Sequence, residues 1–444
     1  MAITDVERYG PAFHTAGNYR PVSEEVTAFD LPVTGALPAE LRGSFLRNGP
    51  NPVTPSVHWF FGDGMIHGLR LEGGRARWFR NRWVRTESFT DGIAFRDAEG
   101  RRNLRASKAN THIVRHGGRL LALVEAALPY EVTEQLDTLG PWDFDGRLTT
   151  AMTAHPKVCP TTGEMHFFAY DQRPPYLTYH VADASGQLVL SRAVDVPAST
   201  MMHDFNLSQH FVVFMDLPIV FDLRSARAGN MFPFRYDVSY GARLGVLRRD
   251  DPNGYVRWFE IEPCYVFHTL NAHDDGAVIT IDVSRLASPT LERGGYTDAV
   301  LWRWTIDLTS GRVTERQLDD QTGDFPRIDD RLAGMAARRG WTTWMPGPGD
   351  APEVGGSITV YDLADETSAT HQFGDGRVPG EAVFAPADDN PGGKGWLLAY
   401  VYDRARDASD VVVLDADHPE NEPVAAVHLP IRVPYGFHGN WLAD

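Results

Sequence analysis

Four histidines sit in short segments of apolar and small residues, far apart in the chain. His268 lies in Pro263-Cys264-Tyr265-Val266-Phe267-His268-Thr269-Leu270-Asn271-Ala272. His155 lies in Met152-Thr153-Ala154-His155-Pro156-Lys157, His203 in Met201-Met202-His203-Asp204-Phe205, and His438 in Tyr435-Gly436-Phe437-His438-Gly439-Asn440-Trp441. Any one of them, taken singly, reads as a core histidine. Four in comparable contexts read as a set of neutral imidazole ligands. A nitrogen-only set suits Fe, Zn, Cu or Ni, and ligand type alone does not choose among them. Four neutral ligands leave a divalent ion its full charge, so carboxylates are expected behind the rings. Three acids occupy apolar, strand-like contexts that fit this role: Glu125 after Leu121-Ala122-Leu123-Val124, Asp324 before Phe325-Pro326-Arg327-Ile328, and Glu381 ahead of Ala382-Val383-Phe384. No catalytic nucleophile is indicated, because the chain has no Gly-x-Ser-x-Gly, phosphate-cradling glycine loop or dinucleotide fingerprint. Gly62-Asp63-Gly64 is too short for a phosphate cradle and reads as a turn at a strand edge.

Ligands so widely spaced meet only in a closed fold, and the rest of the chain reads as the scaffold for one. Strands are expected at 66–71, 120–124, 165–170, 177–181, 188–194, 301–307, 357–363 and 396–403, punctuated by turns such as Thr161-Thr162-Gly163-Glu164 and Ala184-Ser185-Gly186-Gln187. Many short strands at such spacing indicate a sandwich, barrel or propeller. The length favours radially repeated four-stranded blades, which limit exposed edges. The innermost strand of each blade then lines the axis, where residues distant in sequence converge. Helical signals are sparse, the best being 329–339 and 130–137. Residues 1–40 read as an N-terminal arm and 41–444 as a single propeller domain, with no internal boundary.

Bulk composition excludes several classes. Hydrophobic residues make up 43% and aromatics 11% of the 444 residues, enough for a large core and against disorder. The 42 basic and 59 acidic residues leave a net charge of −17, which disfavours a nucleic-acid partner. Two cysteines, Cys159 and Cys264, exclude a disulfide framework and fit a reducing cytoplasm. Met1-Ala2-Ile3-Thr4-Asp5-Val6-Glu7-Arg8 has neither a basic nor an apolar leader pattern, and no stretch approaches the ~20 apolar residues of a membrane span. Met231-Phe232-Pro233-Phe234-Arg235-Tyr236 reads as a loop over a tunnel mouth, a peripheral membrane contact or a plain buried connection.

From about residue 41 onward the chain resembles the carotenoid cleavage oxygenases, a family that includes lignostilbene dioxygenases and the retinal pigment epithelium isomerase. The resemblance rests on Phe45-Leu46-Arg47-Asn48-Gly49-Pro50-Asn51-Pro52, Gly62-Asp63-Gly64-Met65-Ile66-His67-Gly68, Ala109-Asn110-Thr111 and the four histidine segments, matched in order and context. It implies a seven-bladed β-propeller with a metal on its axis, under a cap of loops and short helices. It further implies one Fe(II) per chain, held by His155, His203, His268 and His438. Glu125, Asp324 and Glu381 would then stand behind His203, His268 and His438 respectively, leaving His155 without a carboxylate, and Thr111 would lie beside the open iron position. Two departures stand out. Asp324 replaces the family's usual glutamate and is one methylene shorter, so its bond to His268 requires a shifted backbone or a water, or is lost. Val124 stands where stilbene-cleaving members typically carry a lysine that recognises the substrate phenol, although many segments read closer to the bacterial stilbene-cleaving branch than to the plant carotenoid branch.

The implied reaction is scission of one C=C bond of a small apolar conjugated substrate by O2, giving two carbonyl products. The substrate would be an apocarotenoid or carotenoid, or a stilbene or phenylpropenoid. Candidate tunnel-lining residues are Phe60, Phe61, Val124, Phe205, Phe267 and Phe437, with Trp59 beside them; His67 and His112 read as structural. Two competing readings are a non-catalytic propeller that binds a partner and a metal-dependent isomerohydrolase. Metal content and oxygen consumption separate the three.

Overall fold

A computed structural model of the chain describes residues 13–97, 101–289, 298–346 and 354–444. Among these residues the structure is built almost wholly of antiparallel strands, arranged in seven sheets of four or more strands and one two-stranded ribbon. The chain divides into two compact units, one of residues 1–152, 342–360 and 368–444, the other of 153–341 and 361–367.

In the first unit the two ends of the chain share sheets. Gly43–Pro50, Gly64–Glu72 and Arg75–Trp83 form a meander whose outer edges are taken by Thr27–Phe29 and the C-terminal strand Gly439–Ala443. Likewise Val33–Gly35 pairs with Ala425–His428 at the edge of the sheet built on Ala408–Asp415 and Gly395–Asp403. Phe45, Leu69, Phe79, Tyr400, Val411 and Val427 fill the core beneath these sheets. A third sheet runs His112–His116, Arg119–Leu123, Tyr130–Val132, Thr138–Pro141.

The second unit repeats the four-stranded meander three times, beginning with Lys157–Val158, Phe205–Leu207 and Tyr265–Asp274. The strands Met165–Tyr170 and Leu188–Val194 have the expected bounds. Their turns carry Gly163 at φ +71° and Gly186 at φ +87°, a region that glycine enters without steric cost. Phe234–Tyr236 pairs with Ile219–Phe221 in the ribbon. Phe232, Phe234 and Tyr236 pack on the core while Met231 and Arg235 are exposed, so the 231–236 segment is a packed connection with two exposed residues.

Both expected helices are absent. Tyr130–Val132 is a strand paired on both sides, and Leu136 at φ +72° breaks any helical continuation. Burial of the Tyr130 ring, whose hydroxyl donates to the Arg105 carbonyl at 2.8 Å, outweighs the helix-like spacing. Between 329 and 339 only a single 3-10 turn forms, Asp330–Leu332, capped by Asp329 and closed by Gly334 at φ +82°.

Candidate metal centre

In the second unit each candidate ligand lies at the head of a meander. His155 is two residues before Lys157–Val158, His203 two before Phe205–Leu207, and His268 within Tyr265–Asp274. Around His268 the register with Val278–Leu286 slips between Val266 and Thr269. Such a bulge turns a side chain out of the regular alternation. The three rings converge: His155 Nε2 is 3.0 Å from His203 Nε2, which is 3.3 Å from His268 Nε2. All three ligand atoms lie within 4.8 Å of one another. A metal–nitrogen bond of about 2.1 Å places neighbouring octahedral ligand atoms about 3.0 Å apart, so this nitrogen cluster fits a bound cation. Two imidazoles can share a proton at that distance, but three converging nitrogens are far better accommodated by a metal.

Asp324 settles the orientation of one ring. Its Oδ1 accepts directly from His268 Nδ1 at 2.9 Å, with both residues buried. That bond places the proton on Nδ1 and leaves the Nε2 lone pair for a metal. The short side chain reaches without a bridging water. The next residue, Phe325, has φ +51°, and its ring stacks on His268 with centroids 5.1 Å apart and planes 22° apart. The backbone turn and the stacked ring accompany the aspartate's reach.

Behind the same three segments lies a second polar cluster that sequence reasoning passed over. Asp204, fully buried, receives Lys157 Nζ at 2.8 Å and the Thr269 backbone N–H at 3.0 Å. Burial pushes its carboxyl up, but the Lys157 charge and these hydrogen bonds outweigh it and hold the group below the ordinary aspartate range. The signal was adjacency, since each of the three residues lies within two positions of a ligand histidine. Phe267 stands edge-on to the His203 ring, 5.3 Å between centroids, whereas Phe205 packs against Phe168 in the core.

In the first unit His438 is held on every side. Its Nδ1 donates to Glu381 Oε1 at 2.9 Å, and the Gly439 N–H donates to Glu381 Oε2 at 2.7 Å. The His438 N–H donates to the Thr111 carbonyl, and its own carbonyl accepts from Asn48, each at 3.0 Å. Thr111 Oγ1 donates to Asn110 Oδ1 at 2.9 Å, and Asn110 Nδ2 in turn donates to the carbonyls of Phe60 and Gly62. Thus Asn48 and Asn110, quoted above only as parts of motifs, tie the threonine and histidine segments together. The His112 ring packs against His438 at 5.2 Å, and His67 is buried opposite Arg47. Phe437 packs against Trp59 at 4.5 Å and Phe60 at 5.8 Å, while Phe61 lies beside His58. Val124 and Glu125 follow Arg119–Leu123 and are half-buried.

Comparison with known proteins agrees with this geometry. The sequence model of the family described as retinal pigment epithelial membrane protein matches residues 19–443. A carotenoid cleavage oxygenase of Mycobacterium tuberculosis is 39% identical over 96% of both chains. A carotenoid 9,10(9',10')-cleavage dioxygenase of Crocus sativus is 36% identical, covering 96% of this chain and 88% of its own. The crystal structure of Pseudomonas brassicacearum lignostilbene dioxygenase superposes with a TM-score of 0.87 at 29% identity, over 97% of this chain and 98% of the other. The seven sheets are therefore the blades of a seven-bladed β-propeller. The chain belongs to the family of retinal pigment epithelial membrane protein and the carotenoid cleavage oxygenases, and it is a dioxygenase.

Proposed function

We propose that the protein is an Fe(II)-dependent dioxygenase that cleaves one C=C bond of an apocarotenoid or carotenoid into two carbonyl products. The observation that carries this reading is the convergence of His155, His203 and His268, with His268 fixed through Nδ1 by Asp324. The family pattern adds His438 as a fourth ligand. Both oxygen atoms of O2 enter the two products, so the reaction needs no reducing cosubstrate and no protein nucleophile. When bound, Fe(II) supplies the site at which O2 is activated beside the alkene.

The protein's own residues then have three tasks. Histidines held on carboxylates present their Nε2 lone pairs without reorganising. Thr111, tied to His438 through its backbone and to Asn110 through its hydroxyl, presents a small polar group. Apolar rings such as Phe60, Phe267 and Phe437 exclude water and orient a conjugated substrate that offers nothing to hydrogen-bond. Val124 removes the buried donor a 4-hydroxystilbene would use, and the 39% identity to a carotenoid cleavage oxygenase points the same way. Free, buried Cys159 and Cys264 suit a cytoplasmic setting, and among the described residues no helix is long and apolar enough to cross a membrane.

The test is anaerobic reconstitution with Fe(II), quantifying metal in the wild type and in His268→Ala. Turnover in air then follows on apocarotenals, resveratrol and isoeugenol, recording oxygen uptake and aldehyde. About one iron per chain, lost in the variant, with aldehyde from an apocarotenal is the expected result. Aldehyde from resveratrol alone would move the substrate to the stilbenes, and a wild type that takes up no iron would refute the metal reading.

A further inference from the structure

Lys157, Asp204 and Thr269 follow the three converging histidines by two, one and one residues and lie in, or next to, strands of three different sheets. Their side chains form one knot. Lys157 Nζ lies 2.8 Å from Asp204 Oδ1 and 3.1 Å from Oδ2, and donates to Thr269 Oγ1 at 3.4 Å. Asp204 Oδ2 also accepts the Thr269 N–H at 3.0 Å and the Thr269 hydroxyl at 3.2 Å, while Oδ1 accepts the Phe205 N–H at 2.8 Å. Asp204 and Thr269 are buried, with 1% and 6% of their surface exposed. A carboxylate placed there is costly unless it is fully paired, and here these contacts link the ligand-bearing segments to themselves or to one another.

The contacts of Lys157, Asp204 and Thr269 run from one ligand-bearing segment to the next, so they fix the distance between those segments. Three imidazole nitrogens 3.0 and 3.3 Å apart already stand at metal-binding separation, and contacts that fix the spacing of their segments spare the metal the cost of gathering them. We infer that Lys157, Asp204 and Thr269 are positioning residues that clamp the three ligand segments at cation-binding separation. This rests on the metal reading above and deepens it.

The experiment is Co(II) binding to the metal-free full-length protein, followed by ligand-field absorption. Urea unfolding of the same metal-free samples runs in parallel. Thr269→Val keeps the shape and the backbone bond but removes the hydroxyl, and Thr269→Ser restores the hydroxyl. Asp204→Asn keeps the shape and removes the charge that draws in Lys157. The expected result is a loss of Co(II) affinity of about 10- to 100-fold in Asp204→Asn, the range for groups that orient metal ligands. A smaller loss with an altered ligand-field spectrum is expected in Thr269→Val, with affinity and spectrum recovered in Thr269→Ser. Should Asp204→Asn fail to fold, the threonine pair decides the question alone. Wild-type affinity and spectrum in Thr269→Val and Asp204→Asn would overturn the clamp while leaving the metal centre standing, as would an affinity loss that tracks only the unfolded fraction. No Co(II) bound by the wild type would take down both the clamp and the metal reading.

Discussion

Asp324→Ala is the most informative single change at the centre. The carboxylate makes one hydrogen bond, from His268 Nδ1 at 2.9 Å, and its other oxygen meets no donor among the described residues. Truncation leaves the His268 Nδ1–H without its acceptor in a site where the ring is only 7% exposed. Leaving a buried donor unmet costs about 1–3 kcal/mol, and since 1.36 kcal/mol is a factor of ten, metal affinity is expected to fall about 5- to 160-fold. Asp324→Asn keeps an acceptor of the same length but no charge, so it should lie between wild type and alanine. The assay is anaerobic Fe(II) titration against a competing chelator, with unfolding of the metal-free protein measured separately. An alanine variant that binds iron within twofold of wild type would refute the reasoning.

A companion variant tests the backbone account. Asp324→Glu installs the family's usual residue. If the aspartate were a simple deficit, glutamate would tighten iron binding. The structure predicts the opposite, because Phe325 already adopts φ +51°, a conformation that costs a non-glycine residue about 1–2 kcal/mol. The chain is thus already turned toward His268, and an added methylene must be accommodated against the ring stacked there. Equal or weaker affinity is expected, and clearly tighter binding would show that the turned backbone does not compensate.

Two further outcomes concern the frame. In Gly436→Ala, an ideal Cβ would stand 2.8 Å from Arg47 Cζ and 2.9 Å from the Asn48 carbonyl oxygen. Urea unfolding should show a loss of about 1–3 kcal/mol for such overpacking, and unchanged stability would mean that the Arg47 side chain yields freely. His180 is buried, stacked on Phe167, and burial lowers its pKa from 6.5 to about 4. The unfolded chain then binds more protons than the folded one between those values, so the stability contribution is present above pH 6.5 and is lost as pH falls toward 4. That contribution is about 3 kcal/mol at 1.36 kcal/mol per pH unit. His180→Gln in the metal-free protein should flatten the acid side of the stability profile, and an unchanged slope would assign it to other groups.

Much of the fold was legible because its strands are short, apolar and separated by glycine turns. Met165–Tyr170 and Leu188–Val194 were readable to the residue. Where reading failed, a long-range contact overrode a local pattern. The 130–137 segment has the spacing of a helix, yet the Tyr130 hydroxyl finds its acceptor on Arg105, 25 residues away, and Leu136 takes a positive φ. The number of blades was not readable from the repeats, since each sheet is defined by pairing and not by repeated residue identity. The resemblance supplied it.

At the centre the same division falls between residue type and backbone. The histidines and acids were visible as types in context, but whether an aspartate could serve in place of a glutamate depended on the dihedral angle of its neighbour, which no residue type encodes. The Lys157–Asp204–Thr269 knot was hidden for another reason. A lysine and an aspartate 47 residues apart look like ordinary surface charges until the strands beside them are brought together. A ligand set spread over separate sheets imposes a requirement on the chain: the segments that carry the rings must be held at metal-binding separation. Carboxylates on the outer ring nitrogens of His268 and His438 orient those imidazoles but cannot fix the distance between sheets. A buried, fully paired carboxylate that collects donors from all three segments can, and a residue next to a ligand lies near enough to the neighbouring segments to collect them.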